Sequence, residues 1–401
     1  MKRAGNFSLY LVAPVLSAVT PLLVFPSVTR VFGESGLGAM GIAQSVGTAA
    51  SVVGELGWAV VGPQRIAALS GSERARYVRL ASASRLVAMA VLLPVSVLIV
   101  MMLSPGFKLE AAVIGVGSAM AGLSLGWAWI GANRPSRMLL FEGIPKLILS
   151  VGAAALISLG GSLAIYGIAL IAAALISLCA GMIDFGGFHK DARADRHQIV
   201  QALRDQAVVT GGRSITAGFT ALPVTLMALV SPGAVPLFTA IDRLARMSLS
   251  VLAAVPNRLQ SWLGSAGTPE ALDHRNRRQL ALNVSMGLIV GITYAILVPY
   301  VASFVFSSTV HVDPALAWMS GLMIAVICVS RGLGLSLVAY GRAKWLLPSS
   351  AAACAVGICA VLGLGFWFGA AGGVAGVVSA EVTGALVQVL ALRRHQKLRI
   401  A

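Results

Sequence analysis

A set of ionisable side chains stands inside apolar stretches of this chain: Arg30, Arg213, Arg243, Arg246 and Arg331 among the bases, Glu55, Asp242 and Glu381 among the acids. Guanidinium groups present a planar fork of donors that matches phosphate oxygens in pairs, and they stay charged at any physiological pH. A low-dielectric cavity lined by them attracts an anion, best a phosphate or diphosphate, and repels a cationic drug. The acids have a different use. A carboxyl taken out of water can hold or lose a proton near neutral pH, which makes Glu55, Asp242 and Glu381 candidates for coupling to a proton or cation.

The densest group is Asp242-Arg243-Leu244-Ala245-Arg246. Its charges would cost up to about 7–10 kcal/mol if all lay at the bilayer centre, so they must face protein or a wet cavity. Asp242 and Arg246, spaced i and i+4 with the acid first, are expected to pair along one helix face, leaving Arg243 without a partner on its own helix. Glu142 and Lys146 have the same spacing and are expected to pair likewise. Arg65, Arg85 and Arg258 are expected to reach the basic surface by extending their stems along the apolar run.

Neither enzyme chemistry nor a cofactor is expected, because the chain has no Walker-type phosphate loop, no carboxylate pair in a defined motif and no nucleophile with an evident base. His189, Asp191, Asp195 and His197 are of metal-ligating types, but Lys and Arg are interleaved and no tight ligand spacing occurs, so they read as a solvated linker. Cys179, Cys328, Cys354 and Cys359 lie inside apolar runs and read as small packing residues.

The elements that must position these groups follow from composition. Of 401 residues, 58% are hydrophobic and 11% charged, which leaves too few polar helix faces for a water-soluble fold and defines an all-α polytopic membrane protein. The formal net charge of +16 raises nucleic-acid binding, but the bases are scattered between apolar runs and no stripe interleaved with aromatics exists. Runs of about 20 residues suffice to cross a bilayer. They predict twelve spans, at about 7–31, 36–69, 80–103, 109–131, 138–158, 162–184, 207–230, 236–260, 281–305, 314–340, 346–368 and 373–392. The first run follows Met1-Lys2-Arg3 as a secretory leader would, but its length and its prolines, Pro14, Pro21 and Pro26, predict an uncleaved helix.

Alternate loops carry the bases: Arg74, Arg76 and Arg79; Arg134 and Arg137; Lys190, Arg193, Arg196 and Arg204; Arg275, Arg277 and Arg278; Arg342 and Lys344; and a tail with Arg393, Arg394, Lys397 and Arg399. The opposite side has only Arg30 and Lys108. This asymmetry places both termini in the cytoplasm. The polar stretch from Asp184 to Gln206 divides the chain into an N-terminal lobe, 1–200, and a C-terminal lobe, 201–401. Pro63-Gln64-Arg65-Ile66 matches Pro256-Asn257-Arg258-Leu259, and Arg137-Met138-Leu139-Leu140 matches Lys344-Trp345-Leu346-Leu347. Six spans separate each pair, the pattern of two parallel six-helix lobes with a cleft between them.

Three stretches resemble a known family. Pro26-Ser27-Val28-Thr29-Arg30-Val31-Phe32-Gly33 with Gly36 to Gly41 and Gly57 to Ala67, Trp127-Ala128-Trp129-Ile130-Gly131, and Phe238 to Leu244 are similar to Wzx-type polysaccharide flippases. These belong to the multidrug/oligosaccharidyl-lipid/polysaccharide exporter superfamily, and the likeness extends over the whole chain in span number, topology and loop length. It implies a MATE-like fold that translocates undecaprenyl-diphosphate-linked oligosaccharide repeat units across the bacterial inner membrane, by alternating access through the Arg-lined cleft, for O-antigen, capsule or exopolysaccharide synthesis. The partners implied are the lipid-linked oligosaccharide, membrane lipids, a proton or sodium gradient, and polysaccharide polymerase or assembly proteins. A cation-coupled multidrug exporter is the alternative, weakened by the lack of an acid in the first span. The acids in the seventh and eleventh helices that bind sodium in lipid II flippases are also absent. A polysaccharide polymerase or ligase is disfavoured by the short outer loops, and a scaffold acting through the basic inner loops is a further alternative.

Overall fold

The computed structural model describes the backbone of residues 2–188, 195–252, 259, 262–263 and 268–400, and their side chains apart from 2–19, 207–210, 212–219, 251 and 394–400. Every long regular element among them is helical, and the helices trace twelve spans. Spans one and two share the helix Lys2–Gly54, and Trp58–Ala68 completes span two. Gly71–Leu103 is span three. Span four is made of Lys108–Met120, Ala121–Leu123 and Gly126–Gly131. Span five is made of Pro135–Met138, the π-turn Leu139–Gly143 and Ile144–Ser158. Ala164–Asp184 is span six, and Arg196–Ala221 with Pro223–Val230 is span seven. Val235–Leu252, Pro269–Val305 and Pro314–Ala339 belong to spans eight, nine and ten, and Leu346–Ile400 carries spans eleven and twelve.

Spans three, seven and nine start earlier than the apolar runs do, at Gly71, Arg196 and Pro269. The basic residues expected in loops, Arg74, Arg76 and Arg79 or Arg275, Arg277 and Arg278, instead occupy helical extensions. Arg, Gln and Ala favour helix, and no breaker intervenes. Thr268 caps span nine by accepting from the Ala271 amide at 3.2 Å, and the Asp195 carboxylate accepts from the Arg196 amide at 2.7 Å at the start of span seven. That cap is a helix-start role for one of the four acid and imidazole groups in the linker. His189 and Asp191 lie outside the described residues, as do Pro256, Asn257 and Arg258.

Cα proximity groups the chain into two compact units, Met1–Thr225 and Leu226–Ala401. The boundary falls one helix beyond the polar linker, so the first helix of span seven packs with the helix Lys2–Gly54 and with span three. Span seven is broken at Leu222-Pro223, since proline has no amide to continue the ladder. Ser45 of span two mends the break: its hydroxyl donates to the Ala221 carbonyl at 2.5 Å and accepts from the Thr225 amide at 3.3 Å. In the second unit, spans nine and ten touch through backbone. A Cβ on Gly291 would stand 2.5 Å from the Gly321 carbonyl oxygen, the close approach that small residues permit in a membrane. Buried Gln279 ties the same pair by donating to Gly332 O at 3.0 Å and Ser336 Oγ at 2.9 Å.

The long helices bend at single glycines. Gly33 has φ 59°, ψ −154°, and Gly369 has φ 56°, ψ −132°, where an L side chain is strained. A Cβ on Gly33 would meet nothing within 4 Å, so the cost there is conformational and not steric. Gly33→Ala is therefore expected to lower stability by about 1–3 kcal/mol despite the open space, read as a lower thermal midpoint in detergent. An unchanged midpoint would show that the bend tolerates an L residue.

Candidate functional site

In the first unit three spans lose α-helical regularity around the uninterrupted helix of span three. Span two stops at Gly54 and restarts at Trp58, with Leu56 at φ 52° and Gly57 at φ 72°. Span four passes through a 3-10 turn into the extended residue Ser124 before restarting at Gly126. Span five opens with a π-turn at Leu139–Gly143. Irregular backbone survives at membrane depth only where protein or a wet cavity satisfies it, and transporters build sites from such breaks. Span three supplies the satisfying group. Arg85 is fully buried; its Nε donates to Ala81 O at 3.1 Å, and its Nη1 donates to Gly122 O at 3.1 Å and Ser124 O at 2.7 Å.

The guanidinium also lies 5.7 Å from the Trp127 ring centre. Trp127 stacks on Trp58 with centroids 6.3 Å apart, and Tyr77 meets both rings edge-on. Two carboxylates act on the Arg85 charge, Glu55 from the break in span two and Glu142 from the π-turn. Glu142 also faces the Ser124 hydroxyl and the Lys146 ammonium. Two bases and two acids thus meet where three helices are interrupted.

This arrangement corrects two expectations. Arg85 does not reach the surface, because the carbonyls freed by the break in span four hold it inside. Glu142 and Lys146 form no ion pair within 4.0 Å, since the π-turn shifts residue 142 out of i,i+4 register. Glu55 does lie among charges. The signals for this centre were Gly122-Leu123-Ser124-Leu125-Gly126 and Gly54-Glu55-Leu56-Gly57, glycine-flanked interruptions in otherwise apolar runs.

The second unit gathers four of the residues singled out in the sequence. Asp242 and Arg246 pair on span eight, Oδ2 to Nε at 2.7 Å, as their spacing predicts. Glu381 on span twelve interacts with Arg246, with Arg331 and with the hydroxyl of Ser330. Arg331 on span ten is exposed and makes one long hydrogen bond, Nη1 to Leu249 O at 3.5 Å. Span nine adds Tyr294, whose hydroxyl donates to Ile241 O at 3.0 Å beside Asp242. Arg243 is partly buried on span eight, Arg30 is exposed beside the Gly33 bend, and the side chain of Arg213 lies outside the described residues.

At the basic end of the first unit, Asp184 accepts from Trp129 Nε1 at 3.0 Å and from Arg134 Nη1 at 3.2 Å, with Arg137 at 3.8 Å. Trp127 and Trp129, two residues apart, therefore serve different clusters. Among the described residues no three His, Cys, Asp or Glu side chains come together as metal ligands would.

No family model and no curated protein matches the chain. Among solved structures, an inward-facing multidrug resistance MATE family transporter of the MOP superfamily is similar over 98% of this chain and 99% of its own, with TM-score 0.66 and 12% identity. A Vibrio cholerae MATE transporter is similar at TM-score 0.54 and 13% identity, with 98% of this chain and 96% of that one covered. A eukaryotic MATE transporter is similar at TM-score 0.53 and 14% identity, with 97% and 95% covered. The likeness is one of fold. The chain is an all-helical, multi-pass membrane protein with the MATE transporter fold.

Arg85→Ala removes the donors from two carbonyls and the cation from between two carboxylates. It is expected to cost about 3–5 kcal/mol, the usual penalty for breaking a buried ionic contact, with Arg85→Lys losing less because it keeps the charge without the fork. Equal thermal midpoints for wild type and Arg85→Ala would show that the break in span four needs no cation.

Proposed function

We propose that this protein is a flippase that moves an undecaprenyl-diphosphate-linked oligosaccharide from the cytoplasmic to the periplasmic leaflet of the bacterial inner membrane, by alternating access, for polysaccharide assembly. One observation carries the reading: three guanidinium groups, Arg243, Arg246 and Arg331, stand at membrane depth in the second unit against two acids, Asp242 and Glu381, and Asp242 is already paired with Arg246. The surplus is positive, and the exposed Arg331 makes one long hydrogen bond besides its attraction to Glu381. A diphosphate offers the paired oxygens that such forks accept. Arg30 and Arg213 extend the anion path in this reading, and Glu55, Asp242 and Glu381 are its coupling groups. The glycan, membrane lipids, a proton or sodium gradient and the polymerase are its partners. Both termini are then cytoplasmic, with the basic ends inside. The MATE fold favours a second reading, a cation-coupled drug exporter, which the arginine surplus opposes.

The test is transfer of a fluorescent undecaprenyl-diphosphate oligosaccharide in liposomes holding the purified protein. Wild type is expected to accelerate transfer. Arg331→Ala is expected to slow it about tenfold, the equivalent of one charge-assisted hydrogen bond at about 1.5 kcal/mol. Export of a cationic dye by vesicles that leave the lipid-linked glycan untouched would overturn the flippase reading in favour of the second.

A further inference from the structure

The charge cluster of the first unit has no part in holding an anion, because its two bases are matched by two acids. Its geometry points elsewhere. The Glu142 carboxylate lies against the break in span four: its Oε2 is 2.6 Å and the Ser124 hydroxyl 3.3 Å from where a Cβ on Gly126 would stand. That buried Oε2 accepts no hydrogen bond, and the buried Nη2 of Arg85 donates none. The indole nitrogens of Trp58 and Trp127 are likewise buried without acceptors. An unfilled acceptor and unfilled donors around one helix break mark a place where a proton or a water changes the bonding.

We propose that Glu142 takes up and releases a coupling proton, and that Arg85 converts its charge state into the geometry of the break in span four. This deepens the transport reading above and does not depend on which anion is carried. The groups facing Glu142 are Glu55 from span two, Arg85 from span three, the Ser124 hydroxyl from span four and Lys146 from its own span. Among the described residues of span six the one charged group is Asp184, held at that helix's end by Trp129 and Arg134. With both acids ionised and both bases charged the cluster is neutral. A proton from water that forms the O–H bond of the Glu142 acid leaves it with one positive charge in excess, and release restores neutrality.

The excess acts on Arg85, because Glu142 no longer attracts the guanidinium away from Gly122 O and Ser124 O. The Gly122 and Ser124 carbonyls then hold Nη1 against a weaker rival pull, and the broken segment settles against span three. Loss of the proton draws Nη2 back toward the carboxylate and loosens that hold. Trp127 reports the movement, since its ring lies 5.7 Å from the guanidinium.

The experiment has two independent arms on the full-length protein. In liposomes, the rate of glycan-lipid transfer is measured with and without a pH gradient. The ratio is expected to be several-fold in wild type and one in Glu142→Gln, whatever the gradient-free rate of the variant. In detergent without substrate, tryptophan fluorescence is titrated with pH. Wild type is expected to show a transition that Glu142→Gln and Trp127→Phe both lack and that Glu142→Asp keeps at a shifted midpoint. Failure of wild type to move the glycan lipid would overturn the substrate reading, while the fluorescence arm would still decide on Glu142. A gradient response or a fluorescence transition that persists in Glu142→Gln would overturn the proton proposal, as would a wild type with neither. Should Glu142→Gln elute as aggregate, loss of the transition in Trp127→Phe together with its retention in Glu142→Asp supports the proposal. An unshifted transition in Glu142→Asp sinks it.

Discussion

Inside a bilayer a backbone carbonyl or amide has no water to turn to, and every irregular place in this chain answers to that fact. Three spans of the first unit are interrupted, and the interruptions gather around span three, which carries a buried guanidinium. Arginine suits the task because its fork can serve several carbonyls from a fixed plane, whereas a lysine is a point donor on a flexible stem. Ser45 answers the same need on a smaller scale, closing the gap left by Pro223 with one hydroxyl that donates and accepts at once. The breaks and the polar side chains that mend them are thus a single feature.

The two units use charge differently. In the second, arginines outnumber acids and one of them remains exposed, an arrangement with a net positive field. In the buried cluster of the first unit two acids meet two bases, so the cluster exerts little pull on a distant ion. The aromatic wall of Trp58, Tyr77 and Trp127 keeps the balanced cluster in a low dielectric, where a change of charge has its largest effect.

Much of this was readable from the residues alone. Twelve spans follow from apolar run length, and the Asp242–Arg246 pair from helical spacing, because both depend on local periodicity. The helix starts were misjudged where arginine-rich segments, read as loops from their charge, continued the helix into water. Arg85 and Lys146 were misread for a deeper reason. Snorkelling and i,i+4 pairing both presume an unbroken α-helix nearby, and the π-turn in span five and the interruption of span four cancel that premise. A glycine-bounded polar residue within an apolar run was the available warning, but only the neighbouring span shows that a guanidinium fills the gap.

The bend at Gly33 bears on how the chain enters the membrane. Spans one and two turn back at one residue, with exposed Arg30 and Glu34 on either side of it. The insertion machinery therefore meets the 53 residues Lys2–Gly54 as two apolar runs, and the charges at the turn, Arg30 and Glu34, cancel. The flanks must mark it, Lys2 and Arg3 before the pair and Arg65 after it. By the positive-inside rule those flanking bases favour entry of the two spans as a hairpin.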